Sequence, residues 1–111
     1  MQKRLNEIFN GEDVKKLDQS VIYAGVVDHV HELSREEFEQ VLPLVSPNGR
    51  LILMKKRCDH GDKNACLAIK VAVEGDPSAP YGTPKNLGLR GLWTQEGDTG
   101  ARELLEEIGE L

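Results

Sequence analysis

The chain of 111 residues has few aromatic side chains, only two cysteines and no long apolar run. Aromatic residues make up 5% of it, which argues against the extensive base-stacking platforms of single-strand-binding proteins. Two cysteines are too few for the disulfide scaffold of a small secreted domain, so we expect two thiols. No segment has the roughly 18 apolar residues of a transmembrane helix, and the N-terminus lacks a signal-peptide stretch. We therefore expect a cytoplasmic protein that does not contact a membrane.

The charges of the chain are unevenly distributed, although its composition is that of an ordinary globular domain. Hydrophobic residues make up 39% and charged residues 30%, with a formal net charge of −5. Residues 58–111 carry all of this net charge, because residues 1–57 hold equal numbers of basic and acidic residues. The acidic segment 96–111 repels phosphate, so a contact with DNA has to come from a local patch. The basic cluster Lys55-Lys56-Arg57 is the candidate.

Three segments predict helices, near residues 2–10, 34–45 and 99–109. The second one opens with Ser34 and Glu37, the spacing of a capping box, and continues as an apolar stripe with helical period. Asp98 or Thr99 caps the third helix, because a short oxygen-bearing side chain there accepts a hydrogen bond from a free backbone N–H.

Four other segments predict β-strands. Residues 20–31 are rich in β-branched and aromatic types, and 50–57 and 65–74 flank a polar loop at 58–64. Within 67–73, Leu, Ile and Val alternate with small or polar residues, a period of two that is typical of a strand. A short apolar run at 87–93 is the fourth. The predicted fold is therefore mainly β (α+β), with peripheral helices.

Residues 20–111 resemble a HIRAN domain, preceded by an N-terminal helical extension at 1–19. The resemblance rests on a glycine-bearing first strand at 21–27, an apolar strand ending in basic residues at 49–57, and Leu87-Gly88 before a closing helix. The run Asp62-Lys63-Asn64-Ala65 resembles the family's D-x-N-A signature. The resemblance implies a small β-barrel module without enzymatic activity that is associated with DNA repair and binds single-stranded DNA at its 3′ end.

By this resemblance, DNA is held by the 55–64 loop and the first strand. The candidate contacts are Asp28, His29, Lys55, Lys56, Arg57, Asp59, His60, Asp62, Lys63 and Asn64. End-binding members of the family have aromatic rings where this chain has Asp28, His29 and Gly61, so we expect weak binding. Asp62 and Asn64 also suit a tight turn, because their side chains bond to nearby backbone groups, and this interpretation is favoured over contact with a ligand.

A second interpretation is helical. The pattern G-D-x-x-A at 61–65 recurs 36 residues later at 97–101, which resembles a Sel1-like helical repeat. The eight-residue separation of Cys58 and Cys66 also appears in cysteine-rich relatives of that repeat. Two partial copies are fewer than the three or so units that a repeat array needs, so this interpretation ranks second.

No catalytic, cofactor or metal site is predicted. The nucleophile-elbow, P-loop and dinucleotide-binding motifs do not occur. The spacing of His29, His31, Cys58, His60 and Cys66 matches no standard zinc site. The alternative to DNA binding is a protein-interaction module that uses the acidic C-terminal helix to bind a basic partner protein.

Overall fold

A computed structural model describes residues 3–111, with Lys3 described by its backbone alone. Within this range the chain forms seven α-helices and three short 3-10 helices. The α-helices are α1 (Lys3–Ile8), α2 (Gln19–Val26), α3 (Arg35–Val41), α4 (Pro47–Asp59), α5 (Lys63–Glu74), α6 (Pro84–Thr94) and α7 (Thr99–Glu107). The 3-10 helices are Val14–Lys16, Val30–Glu32 and Leu42–Leu44. None of the described residues forms a β-strand, so the prediction of a mainly β fold with a β-barrel is wrong.

The segments predicted as strands are helical. They contain a helical spacing of buried residues in addition to the alternation that is typical of a strand. In α5 the buried residues Ala65, Ile69 and Val73 recur every four positions, whereas Leu67 and Val71 are exposed. The alternating run at 67–73 therefore splits between two faces of one helix. Residues 20–31, 50–57 and 87–93 likewise contribute to α2, α4 and α6. Packing of a buried face has overridden the β propensity of the branched side chains.

Helix starts are where the sequence was most informative. Ser34 accepts from the Glu37 N–H at 3.2 Å, and the Glu37 carboxylate accepts from the Ser34 N–H at 3.0 Å, so the predicted capping box is confirmed. Asp98 caps α7 by accepting from the Ala101 N–H at 3.1 Å, as predicted. Helices α3 and α7 therefore begin where the sequence predicted. Residue 2, the predicted start of the first helix, lies outside the described residues.

The N-terminal half packs around one apolar core. Leu5 and Phe9 lie in the same buried cluster as Ile22 and Val26 of α2, so residues on both sides of the proposed boundary at 19/20 share a core. The Glu37 carboxylate, only 3% exposed, accepts from the Leu5 N–H at 2.9 Å and so fastens α1 to α3. Burial opposes its ionisation, but the donated hydrogen bonds outweigh burial and lower the pKa of Glu37.

The C-terminal half is a succession of neighbouring helices. Helix α4 packs against α5, α5 against α6, and α6 against α7. Their shared core is built on α5 and α7, with Leu89 and Trp93 of α6 packed against it. Met54 of α4 touches this core and the N-terminal one, so α4 is the seam between the two halves. No helix in the described part of the chain is long and apolar enough to span a membrane.

Candidate functional site

The basic triplet of α4 does not form a continuous patch, because consecutive helical residues point in directions about 100° apart. Lys55 lies 3.4 Å from a carboxylate oxygen of Asp59 and 3.5 Å from one of Glu110 beyond α7. Lys56 lines the cavity between α4 and the end of α7. Arg57 points the other way, toward α3. The three basic side chains therefore lie in three different environments.

Asp28 and His29 lie between α2 and the 3-10 helix Val30–Glu32 rather than on a strand. Asp28 is exposed. His29 Nδ1 is 2.8 Å from Glu32 Oε2, and the Arg4 guanidinium bonds the other oxygen of Glu32 at 2.7 Å. The hydrogen bond from His29, aided by the charge of Arg4, lowers the pKa of Glu32. These contacts hold the predicted DNA-binding residue His29 within a local polar network.

Arg57 ties the α4–α5 turn to the N-terminal half. Its Nη1 donates to the carbonyls of Val30 at 2.9 Å and Leu33 at 2.8 Å, and its Nε donates to Asp62 at 2.8 Å. The guanidinium lies 4.4 Å from the centre of the Phe38 ring, and the side chain is only 11% exposed. These contacts occupy most of its donors, so Arg57 is a structural cation in this fold.

Asp62 is the N-cap of α5, which places the predicted signature at a helix start rather than in a hairpin loop. Its carboxylate accepts from the Ala65 N–H at 3.1 Å and from Arg57, and the Arg57 hydrogen bond is the main reason why its pKa is lowered. Lys63 and Asn64 follow as the exposed first two residues of α5. The interpretation of Asp62 as local architecture agrees with these bonds.

Replacing Asp62 with alanine is expected to lower the free energy of unfolding by about 2–3 kcal/mol, because both a cap and a charged partner of Arg57 are lost. Asp98→Ala is the matched control, since Asp98 caps α7 through the same bond to the third residue and has no arginine partner among residues 3–111. It should cost about 1 kcal/mol. Urea denaturation at neutral pH measures both, and equal losses would contradict a stabilising role for the Arg57 pair.

A polar cavity of about 300 Å³, here called the histidine pocket, lies beside Asp62. The rings of His31 and His60 stack in it, with centroids 3.9 Å apart and planes inclined by 12°. Arg35, Arg57, Gly61 and Asp62 complete its wall. Of the predicted DNA contacts, Arg57, His60 and Asp62 thus meet at one cavity. His31, which the sequence analysis weighed only as a metal ligand, and Arg35, which it did not single out, join them there.

Another cavity, of about 220 Å³ and here called the apolar groove, lies between α3 and α5. Its apolar lining is Phe38, Leu42, Met54, Ala65 and Ala68. Arg35 and Asp62 line both the groove and the histidine pocket, so the two cavities adjoin. A single extended ligand can therefore occupy an apolar and a polar subsite at once.

The outer face of α5 leaves large apolar side chains uncovered. Leu67 is 62% exposed and Val71, one turn further, is 47% exposed. Lys63 and Lys70 accompany them on the exposed surface of the helix. Residues three and four apart share a helix face, so this ridge combines apolar and basic character.

Cys58 and Cys66 form a disulfide that joins the last turn of α4 to the first turn of α5, so the expectation of two thiols is wrong. Among the described residues, no group of three or more histidine, cysteine, aspartate or glutamate side chains is placed to hold a metal ion. The side chains that line the two cavities include the stacked imidazoles, guanidinium groups and apolar groups. Comparison of the chain with protein-family models, curated proteins and solved structures found no match.

Proposed function

We propose that the chain is a non-enzymatic protein-interaction module that binds an acidic peptide segment. The apolar side chains of that peptide make the contact. The observation that carries the proposal is the apolar groove, which is lined on α5 by Ala65 and Ala68, together with the exposed Leu67 and Val71 of the same helix. Contiguous exposed apolar surface beside a groove is typical of a protein-binding site. Each Å² of apolar surface that a partner covers contributes about 25 cal/mol, which favours association at this ridge.

The charges around the ridge favour an acidic partner. Lys63 and Lys70 project from the exposed surface of α5, and neither has an ion-pair partner among residues 3–111. Glu39 and Asp62, the carboxylates that line the groove, are already paired with Arg35 at 3.4 Å and Arg57 at 2.8 Å. Complementary charge at the rim raises the association rate and selects partners.

The order of the helices also suits a binding role. The two G-D segments of the sequence begin α5 and α7, so each predicted repeat unit opens with a capped helix. Sequentially stacked helices are the architecture with which repeat proteins present binding surfaces. The resemblance to a Sel1-like repeat stays a prediction.

A basic partner for the acidic helix α7 also stays a prediction, and the structure favours the α5 surface over it. Glu106 is paired with Arg102 at 3.2 Å. Glu110, just beyond α7, lies 3.5 Å from Lys55 and 3.7 Å from Arg90. Part of the negative charge at this end is therefore neutralised within the chain, which weakens its attraction for a basic protein.

DNA binding through the 55–64 segment stays a prediction as well. The engagement of Lys55 and Arg57 within the fold leaves few cations to neutralise phosphates, and the net charge of −5 opposes binding. A cytoplasmic location also stays a prediction, and the disulfide argues against it because such bonds persist mainly in oxidising compartments.

Display of short random peptides against the whole chain tests the function. We expect the enriched peptides to combine leucine, isoleucine or phenylalanine with aspartate or glutamate. Leu67→Ala together with Val71→Ala should weaken these peptides at least about tenfold, the equivalent of roughly 1.4 kcal/mol. Val21→Ala is the matched control, because Val21 is an exposed valine (48%) on α2 and should not affect binding.

Three outcomes would contradict the proposal. Selection could yield no common class of peptide, or basic peptides, or peptides whose binding is equally weakened by Val21→Ala. A single-stranded oligonucleotide with a free 3′ hydroxyl is the parallel probe. If it bound more tightly than the same strand with a blocked end, and no peptide class emerged, DNA-end recognition would replace peptide binding as the function.

A further inference from the structure

We propose that the histidine pocket is a carboxylate-binding subsite that accepts an acidic side chain of the peptide in the apolar groove and binds it more tightly as the pH falls. The inference rests on the proposed function for the source of the carboxylate. The subsite itself rests on the stacked His31 and His60 rings and on Arg35, which links the pocket to the groove.

The histidine pocket is lined by hydrogen-bond donors that share no common acceptor. His31 and His60 come from different parts of the fold, the 3-10 helix Val30–Glu32 and the α4–α5 turn, yet their rings are 3.9 Å apart. Arg35 has a half-exposed side chain that meets Glu39 at 3.4 Å, an exposed pair of the kind that contributes little. The guanidinium can therefore turn toward an anion in the pocket without losing a strong contact.

Each carboxylate near the pocket already has a cation of its own. Asp62 is bound by Arg57 at 2.8 Å, and Glu32 is bound by Arg4 at 2.7 Å and His29 at 2.8 Å. Glu32 also lies 3.9 Å from His31 Nε2, beyond hydrogen-bond distance. The charged or titratable groups facing the stack are thus Arg35, Arg57, Asp62 and Glu32, with Arg4 and His29 behind Glu32. None of the contacts between these groups places one carboxylate on both rings.

Protonation of the two imidazoles creates the need for an anion. Histidine is the side chain that changes charge between about pH 5 and 8, and two positive rings in stacking contact repel each other. A carboxylate beside both rings offsets the repulsion between them and accepts hydrogen bonds from their N–H groups. Because binding and protonation favour each other, the affinity for a carboxylate is higher when the rings are protonated.

Proton NMR of the three histidine rings, with the whole chain titrated by sodium acetate against sodium chloride at equal ionic strength, tests the subsite. At about pH 6 acetate should shift the His31 and His60 resonances and leave His29 unmoved, and the shifts should be smaller at about pH 8. Arg35→Gln, an exposed change that leaves the stack intact, should weaken the acetate effect severalfold, and His60→Gln should abolish it. His29→Gln is the matched control and should leave the effect unchanged.

Equal shifts of all three rings, shifts that are as large at about pH 8 as at about pH 6, or an effect of phosphate without one of acetate would overturn the proposal. The selected peptides give the second arm. Replacing their glutamate with glutamine should weaken binding at the lower pH alone. If peptides bind and this replacement has no effect at either pH, the subsite is wrong while the proposed function stands. If acetate acts on the two rings and no peptide binds, the subsite stands and the function is wrong.

Discussion

Replacing Gly88 with alanine is expected to lower the free energy of unfolding by about 3 kcal/mol or more. Gly88 lies at a kink inside α6 with φ of 67° and ψ of 179°, a backbone region that is essentially restricted to glycine. An added Cβ would also overlap the amide nitrogen of Gly75 and lie 2.6 Å from the Val73 carbonyl oxygen. Both atoms belong to the backbone, so no side-chain rotation relieves the clash.

Three further variants separate the effect of the backbone conformation from that of the close approach. Gly97→Ala is the matched control, because Gly97 also has a positive φ (71°) and an added Cβ there would meet no atom within 4 Å. It should cost only about 1 kcal/mol. Gly75→Ala should cost as much stability as Gly88→Ala, because its Cβ would strike the Asn86 carbonyl. The double variant should lose less stability than the sum of the two, since both added methyl groups disrupt the close approach of the same two segments. Urea denaturation measures all four chains, and equal losses for Gly88→Ala and Gly97→Ala would contradict the close packing of α5 on α6.

The sequence could predict helix starts but could not decide between the two periods within α5. The capping box at Ser34 and the cap at Asp98 are local signals, each complete within four residues, and both are present in the structure. In α5 the alternation of 67–73 competes with the four-residue spacing of Ala65, Ile69 and Val73. Only the buried neighbours on α4 and α6 decide which pattern is used, and that information is not local.

One local signal did favour the helix. Asp62 stands three residues before Ala65, the same spacing as Asp98 before Ala101, and both aspartates accept the corresponding N–H at 3.1 Å. Because the second of these was predicted as a helix start, equal treatment of the first would have placed α5 correctly. The β-branched residues after Asp62 outweighed the cap in the prediction, although buried branched side chains are compatible with a helix.

The contacts of the candidate site could not be predicted from local patterns either, because they join residues that are distant in sequence. Arg57 donates to carbonyls 24 and 27 positions earlier, and no local pattern marks a backbone oxygen as its partner. His31 was visible only as a member of a scattered histidine and cysteine set, and His60 was visible also as a candidate DNA contact. A basic triplet predicts a patch only when its residues share a face, which three consecutive positions on a helix do not.

Removal of the Cys58–Cys66 disulfide is expected to lower the free energy of unfolding by about 2.5 kcal/mol, because the bond closes a short loop and restricts the unfolded chain. The folded state should survive. The α4–α5 turn is also held by Arg57, which binds Asp62 at 2.8 Å, and by the cap of Asp62 on α5, neither of which involves sulfur. Cys58→Ser together with Cys66→Ser should therefore keep the helical circular dichroism spectrum and shift the urea midpoint downward.

The reduced native chain and the double serine variant provide mutual controls. Dithiothreitol should lower the midpoint of the native chain to that of the variant and should leave the variant unchanged. Because neither cysteine lines the apolar groove, the folded variant should still bind the selected peptides within a factor of about three, less than 1 kcal/mol. An unchanged midpoint under reductant would show that the bond adds no stability. Loss of binding by a folded variant would show instead that the disulfide shapes the groove, through the orientation of α5 against α4.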